Sequence, residues 1–167
     1  MPLIRNGVVA ENRFTEVADG APLPDGPAVV SLTRFLAERE TLLARNTPLG
    51  VRLKSEETPA ALGEDLYRLS LIVLEFPKFR DGRAFSWARM LRTRLGYRGE
   101  IRAVGDFLYD QLALMTRVGF DAFEVPEKIT LELFQRALHE MRFVYQPSAD
   151  GHRTIVQLRQ ATSLSEP

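Results

Sequence analysis

The chain has 167 residues, 45% of them apolar and 26% charged, and its 22 Lys and Arg residues balance 22 Asp and Glu. That length and composition suit one globular domain; no run of about 18 apolar residues is present to cross a membrane, and a pI near 6.8 argues against a dedicated nucleic-acid protein. With no cysteine, disulfides, thiol catalysis, iron–sulfur ligation and thiolate zinc sites are excluded.

Residues 1–7 lack the apolar core and cleavage site of a signal peptide, so a cytoplasmic location is expected. Residues 3–17 read as an N-terminal hairpin, with Asn6-Gly7 as a type I′ turn between Leu3-Ile4 and Val8-Val9. A Pro- and Gly-rich connector follows over 19–27. Ala28 to Leu32 reads as a core strand, Thr33 as the N-cap of a helix to about Arg45, and Asn46-Thr47-Pro48 as its stop.

Leu49 to Leu53 alternates as a second strand, with Leu49, Val51 and Leu53 on one face. Thr58 is placed to cap a short helix whose first residue is Pro59, where a missing N–H costs nothing. Leu71 to Phe76 is an apolar run broken only by Glu75, the pattern of a parallel strand buried on both faces. After it, Lys78, Arg80, Asp81 and Arg83 crowd around Gly82 before a helix over about Ala84 to Leu95, which Gly96 ends in a left-handed conformation.

Ile101 to Val104 reads as the fourth strand, Gly105-Asp106 as a tight turn with Asp106 as N-cap, and Phe107 to Val118 as a helix ended by Gly119. Phe120 to Val125 makes the fifth strand, and Thr130 to Met141 the last helix. Phe143 to Tyr145 and Thr154 to Leu158 read as an antiparallel hairpin across Asp150-Gly151, with a frayed tail after Ala161.

The alternation predicts an α/β fold: a mostly parallel five-stranded sheet, open or a partial barrel, with helical crossovers and a β-hairpin at each end. One domain is expected, comprising the N-terminal hairpin and loop over 1–27, the βα core over 28–141 and the C-terminal hairpin over 142–161. Loops after the strands gather at the carboxyl edge of such a sheet, where α/β proteins place their sites. Thr33-Arg34, Lys54-Ser55-Glu56, Pro77 to Arg83, Gly105-Asp106 and Pro126-Glu127-Lys128 would meet there.

From Lys78 to Arg102 there are eight basic and two acidic residues, a net +6 that would attract anionic ligands or acidic partners. Lys78, Arg80, Arg83 and Ser86, with Arg102, are the candidate anion- or partner-binding residues, since a helix N-terminus and an arginine fork both favour an anion. Arg89, Arg92, Arg94 and Arg98 read as the solvated face of the helix. Asp81 and Asp106 are the candidate catalytic carboxylates; the plainer roles are a turn or helix cap for Asp81 and an N-cap for Asp106, with Arg83 or Arg102 as the partner of Asp106 in the functional reading. Gln111 reads as a core amide, and Phe85 and Trp87 as core packing.

His139 and His152 fall on different predicted elements, so no metal site is expected. No GxGxxG follows a strand, and neither GxxxxGK[ST] nor GxSxG is present. No bound cofactor is therefore expected.

The run Phe76 to Arg83, Ser86-Trp87-Ala88-Arg89, Leu95 to Asp106, Asp110-Gln111 and Gly119 to Phe123, together with Pro48 to Leu53, resembles an uncharacterised bacterial family. Its members are often described as predicted oxidoreductases of sulfite reduction, and their genes commonly lie beside those of sulfite reductase. The resemblance implies an accessory protein of assimilatory sulfite reduction, binding sulfite reductase or its electron donor through the basic segment. The alternative is an enzyme acting on a small phosphate-, sulfate- or sulfite-bearing substrate at the carboxyl edge. A third reading is a homo-oligomer joined through the terminal hairpins.

Overall fold

In the computed structural model, which describes residues 1–140 and 144–163, the chain builds one open eight-stranded mixed sheet. Its strands are β1 (Leu3–Arg5), β2 (Val8–Ala10), β3 (Thr15–Glu16), β4 (Ala28–Ser31), β5 (Leu49–Leu53), β6 (Leu71–Phe76), β7 (Glu100–Gly105) and β8 (Ala122–Glu124). The α-helices are α1 (Leu32–Ala37), α2 (Arg39–Leu43), α3 (Arg83–Thr93), α4 (Leu112–Val118), α5 (Leu131–Glu140) and α6 (Ile155–Ser163). A 3₁₀ segment spans Pro59–Arg68 and a short one Tyr109–Gln111.

The strand order is β2-β1-β8-β7-β6-β5-β4-β3. From β3 to β8 each strand pairs in parallel with the next in sequence, and only β1 runs against the rest, antiparallel to both β8 and β2. The sheet is thus larger and more mixed than the five-stranded expectation. β1 and β2 are the expected N-terminal hairpin, here joined to the sheet through β8, and β3, two residues long, is too short to announce itself by alternation.

Alternation along the strands sorts side chains to two faces. Leu49, Val51 and Leu53 of β5, Ile72, Leu74 and Phe76 of β6, and Ile101 and Ala103 of β7 join one large apolar cluster with Phe35, Ala84, Ala88, Leu91, Leu112 and Phe134 from the helices. The opposite face carries a smaller set, Val29, Leu71, Val73 and Val104, with Phe14 packed against it.

That second face is concave, and chain length requires it. β2 and β3 are the two edges of the sheet, and eight flat strands at about 4.8 Å spacing would separate them by about 34 Å. The chain passes from Ala10 at one edge to Thr15 at the other in five residues, which reach about 18 Å at most. The sheet must curl to bring its edges together. Side chains from β3 to β8 accordingly surround a partly enclosed space of about 80 Å³, with Asn12 and Phe14 of the crossing segment also lining it.

Local signals explain most boundaries. Asn6 (φ 51°) and Gly7 (φ 76°) form the expected hairpin turn. Ser31, rather than Thr33, caps α1, its Oγ accepting the Arg34 N–H at 3.1 Å. The helix expected as far as Arg45 is broken into α1 and α2 at Glu38. Thr58 caps its segment as expected, although that segment is 3₁₀ and kinked at Gly63.

Asp106 is not an N-cap: its N–H bonds the Phe76 carbonyl at 2.8 Å, and the helical region begins later, as a 3₁₀ turn at Tyr109 leading into α4. The C-terminal hairpin is also corrected, since Ile155–Ser163 is helical and residues 144–145 form no strand. Phe143, Met141 and the tail beyond Ser163 lie outside the described residues. Among the described residues no helix is long and apolar enough to cross a membrane.

Candidate functional site

The loop from Pro77 to Gly82 lies at the carboxyl end of β6, one of the two central strands of the parallel run, and leads into α3. Asp81 and Arg83 dominate it. The Arg83 guanidinium donates to the two Asp81 oxygens at 2.9 and 2.6 Å, and the Arg83 backbone N–H donates to Asp81 Oδ1 at 3.2 Å. Asp81 therefore occupies both the fork of Arg83 and the N-terminal end of α3, the two features expected to hold an external anion. Its carboxyl is held well below the ordinary carboxylate range, chiefly by the Arg83 hydrogen bond. A carboxylate so committed is a poor proton acceptor at neutral pH.

Arg83 also reaches Ser55, donating to its Oγ at 2.9 Å, and Trp87 Nε1 donates to the Ser55 carbonyl at 2.9 Å. Ser55 is buried and follows β5, so the β5 and β6 loops are locked to the first turn of α3. Gln111 supplies a second lock: its Nε2 donates to the Phe79 carbonyl at 2.9 Å and its Oε1 accepts the Leu108 N–H at 2.9 Å. Sequence reading took Gln111 for a core amide; the only hint of its clamp was a polar residue inside an apolar arc. Behind these loops Phe76, Phe85, Phe107, Phe120, Phe123 and Phe134 stack in mostly edge-to-face and tilted pairs 5.1–6.3 Å apart, a stiff apolar wall.

Not every sequence candidate meets here. Lys78, Arg80 and Ser86 are exposed on the loop and first turn, and Arg80 lies 5.3 Å over the Phe79 ring. Asp106 is exposed in the neighbouring loop, and its carboxylate makes no hydrogen bond or ion pair among the described residues. Arg102 is elsewhere altogether. It points to the concave face, is 2% exposed, and is bound by Glu100 at 2.7 Å, Glu124 at 3.1 Å and Asn12 at 2.9 Å. It belongs to a lattice of charges that also pairs Arg5 with Glu100 and Arg52 with Glu16 and Glu75.

Arg92 departs from the solvated reading as well. It is half-buried, donating to the carbonyls of Gly119, Tyr97 and Gly99 at 2.8–3.0 Å and to Asp121 at 2.7 Å. Asp121 in turn accepts the Ile101 N–H at 2.8 Å. Burial raises the Asp121 carboxyl above its ordinary value, and Arg92 only partly offsets this. With Arg92 and Arg102 withdrawn and Arg83 paired, Lys78, Arg80, Arg89, Arg94 and Arg98 remain exposed, with no ion pair among the described residues. Arg89 and Arg94 flank a groove of about 400 Å³ along α3.

Beside the Gln111 clamp, the loops after β7 and β8 and one side of α5 bound a cavity of about 670 Å³. Sequence reading brought Lys128 to this edge without giving it a role. Among the described residues no cluster of three or more His, Cys, Asp or Glu could hold a metal ion.

No curated protein matches this chain. The stretch over which the clamped loops, the Arg92–Asp121 lock and the phenylalanine wall are built, residues 50–156, matches the model of a family described as bacterial protein of unknown function (DUF934), and the chain belongs to that family.

Proposed function

We propose that the protein is an accessory component of assimilatory sulfite reduction that docks on sulfite reductase or its electron donor through the basic face formed by the Pro77–Arg83 loop and α3. The observation that carries this reading is the internal closure of Arg83 by Asp81, which leaves Lys78, Arg80, Arg89 and Arg94 as uncommitted surface cations. A rigid loop bearing exposed cations suits steering and orienting an acidic partner, and such attraction weakens as salt rises. The pathway itself rests on the sequence resemblance.

An enzyme using Asp81 or Asp106 as acid or base has less support. Asp81 is committed to Arg83, and neither arginine nominated as the partner of Asp106 reaches it.

The test is a pull-down of the tagged full chain from cells grown on sulfate, at low and high salt, with wild type and a Lys78→Glu/Arg80→Glu variant. Sulfite reductase should be recovered by the wild type at low salt and lost in high salt and in the variant. Normal growth of a deletion strain on sulfate as sole sulfur source would sink the reading.

A further inference from the structure

The pocket of about 670 Å³ at the carboxyl edge, broadly open to solvent, is built differently from the basic face beside it. Its floor is Phe107, which is buried and stacks on Phe76 and Phe123 at 5.8 and 6.3 Å, and Ile129, also buried. Leu108 and Leu133 stand at its rim and are 41% and 38% exposed, so together with the floor they form a continuous apolar lining. The volume falls in the range of small-molecule sites, where an apolar lining supplies affinity and a few polar groups fix orientation.

The polar groups are unevenly committed. Leu133, Arg136 and Glu140 lie on one side of α5, at spacings of three and four residues. Glu140 is engaged twice, accepting from Tyr109 Oη at 3.0 Å and facing Arg136 Nε at 3.4 Å. Arg136 keeps the rest of its fork exposed, and Lys128 has no counter-ion among the described residues. Asp110, exposed and likewise unpaired, is the one free acid in the lining; with Lys128 and Arg136 set against Asp110 and Glu140 the lining charges cancel, so a single negative head, and not two, is what Lys128 and the open part of Arg136 can balance.

We infer that this cavity binds a small organic monoanion with an apolar body, an aromatic or branched aliphatic carboxylate or sulfonate, with Lys128 and Arg136 taking the head and Leu108, Ile129 and Leu133 the body. The apolar half of the site separates this ligand class from bare sulfate or sulfite. The inference stands on the cavity alone and is independent of the docking reading.

Calorimetric titration of the full chain with 2-naphthoate, 2-naphthylmethylammonium and inorganic sulfate tests it. Naphthoate should bind one to one, at least about tenfold tighter than the ammonium probe, while sulfate shows no saturable binding. Lys128→Glu should weaken naphthoate about tenfold, and Leu133→Trp, which fills the hollow from an exposed position, should abolish its binding. Circular dichroism checks the fold of each variant, and Leu108→Trp replaces Leu133→Trp if the latter does not fold. Absence of naphthoate binding, equal binding of the two naphthyl probes, saturable binding of sulfate, or undiminished binding in the filled variant would each overturn the proposal.

Discussion

Asp81 and Arg83 form a two-pronged pair, 2.9 and 2.6 Å, across the first turn of α3, so the arginine best placed to receive an anion already holds one. Asp81→Asn should release it. The variant is expected to bind inorganic sulfate at about millimolar affinity, with the fold intact, where the wild type binds none. NMR titration of the Arg83 and Ala84 amides reads this directly. Because the Asp81 carboxyl is depressed, the pair's contribution is present above the ordinary value near 3.9 and fades only as pH falls through the lower folded value. The Arg83 Nε–H signal of the wild type should therefore be unchanged between pH 7 and pH 4.

Tyr97 predicts the alkaline behaviour. It is 2% exposed, donates to the Leu69 carbonyl at 3.1 Å, and burial raises its hydroxyl well above the ordinary tyrosine value. The unfolded chain loses that proton near pH 10 while the folded chain retains it, so stability should fall as pH rises above about 10. Urea denaturation between pH 8 and 11 should show this slope in the wild type and a smaller one in Tyr97→Phe. At pH 7 that variant should lose about 1–2 kcal/mol, from the hydrogen bond and the carbonyl left unpaired.

Gly105 sets the turn between β7 and the clamped loop. It has φ 101°, and a Cβ there would stand 2.3 Å from the Phe76 carbonyl oxygen. Gly105→Ala should cost about 3 kcal/mol or more, measured by thermal unfolding, since both the backbone conformation and the contact must yield.

Arg102 tests the concave face. Arg102→Leu leaves Glu100, Glu124 and Asn12 without their shared partner, and a loss of about 3–5 kcal/mol is expected. Recovery of sulfite reductase in the pull-down should be unaffected in whatever fraction folds, because Arg102 is absent from the basic face. Equal loss of recovery in Arg102→Leu and in Lys78→Glu/Arg80→Glu would contradict that separation.

Some of this was legible from the chain. Leu71 to Phe76 announces a buried parallel strand because all six residues but Glu75 are apolar, and Asn6-Gly7 announces its turn because both residues tolerate positive φ. Thr154 to Leu158 misled for a physical reason. Its β-branched run favours a strand, yet Thr154 and Gln157 form a reciprocal capping box, each side chain bonding the other's backbone N–H at 3.3 and 2.8 Å, and this starts α6. The concave charges were invisible because, apart from Glu100 two residues before Arg102, their partners lie on other strands or in the crossing segment. Arg102 meets Asn12 from 90 residues away, and only the curl of the sheet makes them neighbours. Asp81 and Arg83 are nearly contiguous in sequence, but their mutual neutralisation depends on side-chain direction, which spacing does not fix.

The order of the strands also bears on how the chain acquires its shape. From β3 onward each strand can add to one made just before it, a succession of nearby contacts. The N-terminal hairpin is the exception: Leu3 pairs with Glu124, so its place on the sheet does not exist until β8 has been laid down. β1 and β2 can pair with each other early, but docking their hairpin on β8 closes a long loop, which is slow relative to the steps before it. Refolding should finish with a late phase in which the hairpin docks and the segment bearing Asn12 and Phe14 drops over Arg102, burying the charges of the concave face only when the rest of the sheet is complete.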